Sequence, residues 1–260
     1  MIWSLVVGVC LAMFQPGDSP SASPVQHTAN GAPVTVSAAI SLTEALEEVA
    51  AAYARAGGGP VRFNFAGSNV LARQIANGAP VDLFISADDE QMNVVEKAGA
   101  IAAGSRVSLV GNRLAVVAPK DKVELVKSRF LRAPPEIRRV AIGDPAAVPA
   151  GRYARAYLEG QRLWTAYASR IVPTPNVRAA LAAVENGAAD AAVVYSTDLR
   201  ASKEAVLALL VPVDQAPRIV YPAAIVQSSR NRAGAERLLA FLRGADATAI
   251  FVKHGFTAIP

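Results

Sequence analysis

Short apolar runs alternate with amphipathic segments along most of the chain after Pro33. The apolar runs, several of them rich in β-branched residues, predict strands at 34–38, 61–65, 81–86, 114–118, 140–142, 171–172 and 191–195. Between and after them, apolar residues recur at helical spacing and predict helices at 42–56, 68–77, 88–97, 152–158, 177–185, 233–242 and 245–254. Repeated alternation of strand and helix favours an α/β fold with mostly parallel sheets.

Two apolar segments, 113–119 and 218–226, are candidates for long strands that carry the chain between two lobes. If both cross, lobe one consists of 33–115 plus 223–260, and lobe two consists of 116–222. The two C-terminal helices would then pack against lobe one. Periodicity alone makes this discontinuous division a hypothesis.

The segment before Pro33 differs in composition from the rest. Residues 1–14 are apolar but too few to span a bilayer, and 16–24 are rich in Pro and Ser. We therefore expect 1–32 to be a signal peptide and linker of an exported, periplasmic protein, although the usual basic start is absent. Lipid attachment at Cys10 is an alternative, with Val9 where a small residue is expected, and an ordinary N-terminal extension is another.

Charge and rare residues exclude several classes of function. The net charge is +5, but Lys and Arg are scattered without a basic run, so we expect no nucleic-acid partner. Cys10 is the only cysteine, and His27 and His254 are the only histidines. The folded part therefore has no disulfide, and His and carboxylates form no cluster at metal-ligand spacing.

Four strand-to-helix junctions share small residues and helix-capping types, at 36–44, 65–75, 143–153 and 173–181. The first N–H groups of a helix have no intrahelical partner and carry about half a positive charge. Four such helix starts at one point would supply roughly two units of positive charge, which suits a small dianion. Ordinary helix capping is the alternative at each junction, and Ser41 with Glu44 matches a capping box.

The charged residues near these junctions have simpler interpretations. Arg73, Arg152 and Arg178 are expected on solvated helix faces, where they contribute only to the long-range field. Asp144 and Asp198 are expected to cap helices rather than to catalyse a reaction.

Five stretches together resemble one known family: AAISLTEAL at 38–46, FAGSNVLARQIANGAPVDLFISAD at 65–88, GDPAAVPAGRYAR at 143–155, NVRAALAAVENGAADAAVVYSTD at 176–198 and FVKHGFT at 251–257. The chain from Pro33 to Thr257 is similar to the periplasmic molybdate-binding proteins, the substrate-binding components of molybdate ABC transporters. The resemblance implies a type II periplasmic binding protein fold, in which two α/β lobes joined by hinge strands close around an oxyanion.

The resemblance also implies a ligand site for molybdate or tungstate without a cofactor or a catalytic residue. Ser41 and Ser68 would each donate from a hydroxyl and a backbone N–H, Ala150 and Val177 from backbone N–H groups, and Tyr195 from its phenol. Molybdenum would be bound only as the oxyanion, through these same residues. The expected partner is the membrane permease of an ABC transporter, and we expect a monomer.

Three alternatives remain open from the sequence. The first is another tetrahedral oxyanion, such as sulfate. The second is an enzyme on the same scaffold, which needs a base beside a nucleophile, whereas His254 is distant in sequence and neither Ser41 nor Ser68 lies in a G-x-S-x-G motif. The third is the effector-sensing module of a regulator, which the expected export and the lack of a preceding DNA-binding segment disfavour.

Overall fold

The computed structural model describes residues 31–259. The segment expected to direct export, with Cys10, falls almost wholly outside this range. Within it, none of the helices combines the length and the apolar character needed to cross a membrane.

Strands and helices alternate as the hydrophobic pattern predicts. The strands are β1 Val34–Ala39, β2 Val61–Ala66, β3 Leu83–Ile85, β4 Val107–Asn112, β5 Leu114–Pro119, β6 Val140–Gly143, β7 Ile171–Thr174, β8 Ala191–Tyr195, β9 Ala205–Leu210, β10 Ile219–Ile225 and β11 Thr257–Ala258. The helices are α1 Thr43–Arg55, α2 Ser68–Ala76, α3 Asp89–Lys97, α4 Val123–Arg129, α5 Pro149–Gly160, α6 Trp164–Tyr167, α7 Val177–Glu185, α8 Arg232–Leu242 and α9 Ala245–Lys253. The sequence pattern missed β4, β9 and β11.

Local sequence explains where these helices begin and end. Helix α1 buries Ala45, Leu46, Val49 and Tyr53, which recur on one face at helical spacing. It ends at Arg55, and Gly57, which follows the C-cap Ala56, has a φ of 83°, the left-handed conformation that closes many helices. At the start of α3, the Asp88 side chain caps the helix by accepting a hydrogen bond from Gln91 N.

Two mixed sheets form the cores of two lobes. The first sheet has the order β11-β4-β10-β3-β1-β2 and the second has the order β7-β6-β8-β5-β9. In the first sheet, β1 pairs in parallel with β2 on one side and β3 on the other. In the second sheet, β6 pairs in the same way with β7 and β8. Helices α8 and α9 pack on α1 and the first sheet, so the chain's end returns to lobe one.

The expectation of mostly parallel sheets is wrong, because only four of the nine strand pairings between described residues are parallel. The antiparallel pairs arise where the chain passes between lobes. Strand β4 leads out of the first sheet and β10 returns to it, so these neighbours run in opposite directions.

The chain changes sheets at Arg113, between β4 and β5, and again within 211–218, between β9 and β10. Neither predicted crossing segment is therefore one strand shared by both lobes. The proposed lobe boundaries, 33–115 with 223–260 and 116–222, stay a prediction. We use "lobe one" for the first sheet with its helices and "lobe two" for the second.

A close approach of backbone to backbone fixes the start of α5. A Cβ atom on Gly151 would lie 1.9 Å from the carbonyl oxygen of Gly143, at the end of β6. Only glycine therefore allows this helix to begin directly against the end of the strand. The contact sets the position of Ala150, the preceding residue in α5.

We predict that Gly151→Ala lowers the free energy of unfolding by about 1–3 kcal/mol or more, because the added methyl group forces α5 away from β6. Gly160→Ala is the matched control, since it lies in the same helix and a Cβ there meets nothing within 4 Å. Urea unfolding of both variants measures the difference. Equal stability of the two variants would show that the close approach is not a constraint.

Candidate functional site

The carboxyl ends of parallel strands from both sheets meet at one pocket between the lobes. Its cavity volume is only about 20 Å³, far below the range of about 300–1,000 Å³ that is usual for drug-sized ligands. The lining residues come from strand ends and the turns and helix starts that follow them: Ala39, Ile40, Ser41, Ala66, Gly67, Ser68, Ala87, Val148, Pro149, Ala150, Asn176, Val177 and Tyr195. A small ligand at a strand-end crevice is the arrangement typical of open α/β sheets.

All five residues predicted for the site line this pocket. Ser41 and Ser68 come from lobe one, and Ala150, Val177 and Tyr195 come from lobe two. They are separated by up to 154 residues in sequence. They meet only because the two sheets face each other across the pocket.

Four of these residues lie at helix starts with unpaired N–H groups. Ser68 and Val177 are the first residues of α2 and α7, and Ala150 is the second residue of α5. Ser41 lies in a single turn of 3-10 helix, Ile40–Leu42, that leads into α1. Within residues 31–259 these four N–H groups have no hydrogen-bond acceptor. They therefore remain available to an acceptor in the pocket.

Both serine hydroxyls are buried and neither caps a helix. Ser41 Oγ lies 3.0 Å from Tyr221 Oη, and Ser68 Oγ accepts from Ala87 N at 3.0 Å. The capping-box interpretation of Ser41 is wrong: the 3-10 turn shifts the start of α1 past Ser41, and Glu44 bonds to Arg178 instead.

Tyr195 brings a phenol into the same pocket from the end of β8. It is only 1% exposed, and in the part of the chain described its hydroxyl has no hydrogen-bond partner. Burial raises the pKa of the Tyr195 phenol well above its ordinary value, so the group is a neutral O–H donor. An unpartnered buried hydroxyl costs about 1–3 kcal/mol, which a bound acceptor would recover.

Among residues 31–259, no ionised side chain lines the pocket, although charged pairs flank it. Arg152 of lobe two pairs with Asp88 and with Glu90 of lobe one, the latter at 3.2 Å. Arg178 of lobe two forms a two-point contact with Glu44 of lobe one, at 2.7 and 3.0 Å. These pairs hold the lobes together beside the pocket.

The expectation of solvated arginines is right for Arg73, which is exposed, and wrong for the other two. Arg178 is only 16% exposed and Arg152 only 20%. Their partners Asp88, Glu90 and Glu44 come from lobe one, across the gap between the lobes, and Asp198 of lobe two also contacts Arg178.

Asp198 takes part in a helix cap, as expected, and also has a second contact, whereas Asp144 bonds within a turn and caps no helix, since the N-cap of α5 is Val148. Asp144 accepts from Ala146 N in the turn before α5, and Asp198 accepts from Tyr195 N. Asp198 is fully buried, and its Oδ1 lies 2.9 Å from Arg178 Nε. Burial raises the pKa of Asp198 to about 7, with Arg178 opposing the shift.

Three residues near the site were missed by sequence reasoning. Ala87 N bonds to Ser68, Tyr221 bonds to Ser41, and Asn112 bonds to Tyr221. Tyr221 does stand out as a hydroxyl in the apolar strand β10, but nothing in the sequence indicates that it meets Ser41, 180 residues away. In residues 31–259, no group of three or more His, Cys, Asp or Glu side chains is placed to hold a metal ion.

Known proteins match this chain over nearly all of the described part. Residues 34–257 match the family model of the bacterial extracellular solute-binding proteins. The chain is similar to the molybdate-binding protein ModA of Escherichia coli (strain K12), at 38% identity over 86% of this chain and 88% of that protein. The corresponding protein of Haemophilus influenzae is 36% identical over 88% and 92%. The solved periplasmic molybdate-binding protein of Azotobacter vinelandii superposes with a TM-score of 0.77 at 27% identity, covering 87% and 100%.

The raised pKa of Asp198 predicts a pH dependence of stability. Between the ordinary Asp pKa of 3.8 and about 7, the folded protein keeps a proton that the unfolded chain has lost. The contribution of Asp198 to the free energy of unfolding therefore falls as the pH rises through this window, by at most about 1.4 kcal/mol per pH unit. In Asp198→Asn the amide oxygen still accepts from Tyr195 N, but the titration is gone.

Urea unfolding of both proteins at several pH values between these limits gives the comparison. We expect the wild type to lose stability relative to Asp198→Asn as the pH rises. If the free energies of unfolding of the two proteins change with pH in parallel, the raised pKa of Asp198 is contradicted.

Proposed function

The chain belongs to the molybdate-binding family of the bacterial extracellular solute-binding proteins, and on that premise we propose that it captures molybdate in the pocket between its lobes. The observation that carries the proposal is a small pocket that neutral N–H and O–H donors line and that, among the described residues, no ionised side chain lines. The ligand groups proposed are the hydroxyl and N–H of Ser41 and Ser68, the N–H of Ala150 and Val177, and the phenol of Tyr195.

Molybdate suits such a pocket because it is a tetrahedral dianion that accepts hydrogen bonds and donates none near neutral pH. Bonds from N–H and O–H donors to an ionised acceptor are the stronger kind of hydrogen bond. Helix starts with unpaired N–H groups add a favourable local potential without a cation. The pocket thus offers directional attraction to a dianion while its shape still decides which dianion fits.

Size is the proposed basis of selectivity among dianions. Sulfate has the same charge and shape as molybdate but is smaller, so that donors spaced for molybdate would be left too far away. Each buried donor left without an acceptor costs about 1–3 kcal/mol. Tungstate is nearly the size of molybdate, and we expect it to bind as well. Sulfate as the true ligand is the second candidate, and titration separates the two.

Closure of the lobes is proposed to complete the site. The donors divide between lobe one and lobe two, so no single lobe holds a full set. The pairs Arg152–Asp88 and Arg178–Glu44 also span the lobes, and hinge motion that opens the pocket would break them. A bound anion that accepts hydrogen bonds from both lobes would add a further link between them.

The proposed role is binding and delivery rather than catalysis. The one histidine within residues 31–259, His254, bonds to Glu48 at 2.8 Å in lobe one and to neither pocket serine. The closed, loaded protein would deliver the anion to the membrane permease of an ABC transporter from the periplasmic side, as a monomer without a cofactor. Export by a signal peptide within 1–32, or anchoring through Cys10, belongs to the same proposal.

Calorimetric titration of the purified protein with molybdate, tungstate and sulfate tests the ligand. We expect molybdate and tungstate to bind at least about a hundredfold more tightly than sulfate, which corresponds to two or more unsatisfied donors at roughly 1.4 kcal/mol each. Tight sulfate binding with no heat from molybdate would overturn the proposal.

The same titration tests the donors. Ser41→Ala and Ser68→Ala should each weaken molybdate binding by about 1–3 kcal/mol, which is roughly 5- to 150-fold. Ser128→Ala is the control, because this exposed serine on α4 bonds only within its own helix. Variants of Ser41 and Ser68 that bind as tightly as this control would remove those residues from the site.

A further inference from the structure

A chain of hydrogen bonds leads from the crossing point between the lobes to the pocket. Asn112 is the last residue of β4, where the chain leaves the first sheet, and it is buried. Its Oδ1 accepts from Arg113 N at 2.8 Å, and its Nδ2 lies 3.2 Å from Tyr221 Oη and 3.0 Å from Thr197 Oγ1. Tyr221 Oη in turn lies 3.0 Å from Ser41 Oγ.

Chemistry fixes the direction of every bond in this chain. A backbone N–H can only donate, so Arg113 N requires the oxygen of the Asn112 amide to face it. The amide nitrogen, also only a donor, must then face Tyr221 Oη, which accepts. The proton of Tyr221 is left for its one other partner among the described residues, Ser41 Oγ.

Ser41 is therefore an acceptor toward Tyr221, and its own proton has no acceptor within residues 31–259. Since Ser41 lines the pocket, that proton is available to a ligand. Two other side-chain oxygens of the pocket already accept hydrogen bonds from the protein. Ser68 Oγ accepts from Ala87 N, and Asn176 Oδ1 accepts from Ala179 N at the start of α7.

We propose that Asn112 and Tyr221 are positioning residues that determine specificity, because they orient the Ser41 hydroxyl as a donor toward the pocket. A fully deprotonated tetrahedral dianion then meets only donors. A dianion of the same shape that carries a proton, such as hydrogen arsenate, finds no acceptor at Ser41. This inference rests on the proposed function, since it concerns the same pocket.

Asn112→Asp tests the direction of the chain with almost no change in shape. A carboxylate accepts from Arg113 N and also from the Tyr221 hydroxyl, so Tyr221 no longer donates to Ser41. The Ser41 proton then turns to Tyr221 Oη, and Ser41 presents a lone pair to the pocket. Molybdate and hydrogen arsenate are both mainly dianions at roughly pH 8. The negative charge of the new carboxylate therefore lowers the affinity for both by a similar factor, and the ratio of the two affinities does not change for this reason.

We expect the affinity ratio of molybdate to hydrogen arsenate to fall by about tenfold or more in Asn112→Asp, the effect of exchanging one donor for an acceptor. The readout is calorimetric titration of the full chain with each ion. A role of Asn112 in the fold alone would weaken both ions equally and leave the ratio unchanged, which would overturn the proposal.

Tyr221→Phe combined with Ser41→Ala is a second test that does not depend on a buried carboxylate. Tyr221→Phe should weaken molybdate binding roughly 5-fold or more, but should have no further effect in the Ser41→Ala background, because Tyr221 acts through Ser41. Tyr157→Phe is the control, since this buried hydroxyl has no partner among the described residues, and it should bind molybdate as the wild type does. Additive effects of the two substitutions would overturn the proposal.

The outcomes separate the two proposals. A wild-type protein that binds no molybdate contradicts the proposed function itself. A wild type that binds molybdate, with an unchanged ion ratio in Asn112→Asp or an additive cycle at Tyr221 and Ser41, contradicts only the positioning role. If Asn112→Asp does not fold, as circular dichroism would show, the double-mutant cycle decides alone.

Discussion

The first N–H groups of a helix must find an acceptor, and this requirement organises the whole pocket. The parallel strands of both sheets end at the gap between the lobes, and helix starts follow three of those ends: Ser68 on α2, Ala150 on α5 and Val177 on α7. The turn at Ser41 adds a fourth set of N–H groups. Four sets of unpaired N–H donors in one small volume create a positive local potential, which favours a bound anion.

The arginine side chains near the pocket are paired with carboxylates, so they supply no free positive charge to it. Arg152 and Arg178 lie within two residues of Ala150 and Val177 in sequence, but Arg152 is paired with carboxylates of lobe one, and Arg178 with Glu44 of lobe one and Asp198 of lobe two. The arginines therefore link the lobes, and their charge is already paired within the protein. A neutral ring of donors is sensitive to the size and protonation of its ligand, whereas a free guanidinium would attract many anions alike.

Periodicity predicted most of the fold because amphipathic helices and buried strands have distinct apolar spacings, as in α1 and β5. It missed β4 and β9, and it could not show that β10 runs antiparallel between β3 and β4, since pairing direction depends on distant residues. For the site, the resemblance to a family supplied Ser41, Ser68, Ala150, Val177 and Tyr195. The residues proposed to orient Ser41 are Tyr221 and Asn112. They make contacts across more than 100 residues of sequence, which no local pattern encodes.

The central proposal, that molybdate is held between the lobes by neutral donors, is tested most directly by crystals grown with molybdate and measured at the molybdenum absorption edge. We predict one anomalous peak in the pocket, with its oxygens at hydrogen-bond distance from Ser41, Ser68, Ala150, Val177 and Tyr195, about 2.7–3.2 Å. An empty pocket at saturating molybdate, or a molybdenum peak held by arginine side chains elsewhere, would contradict the proposal.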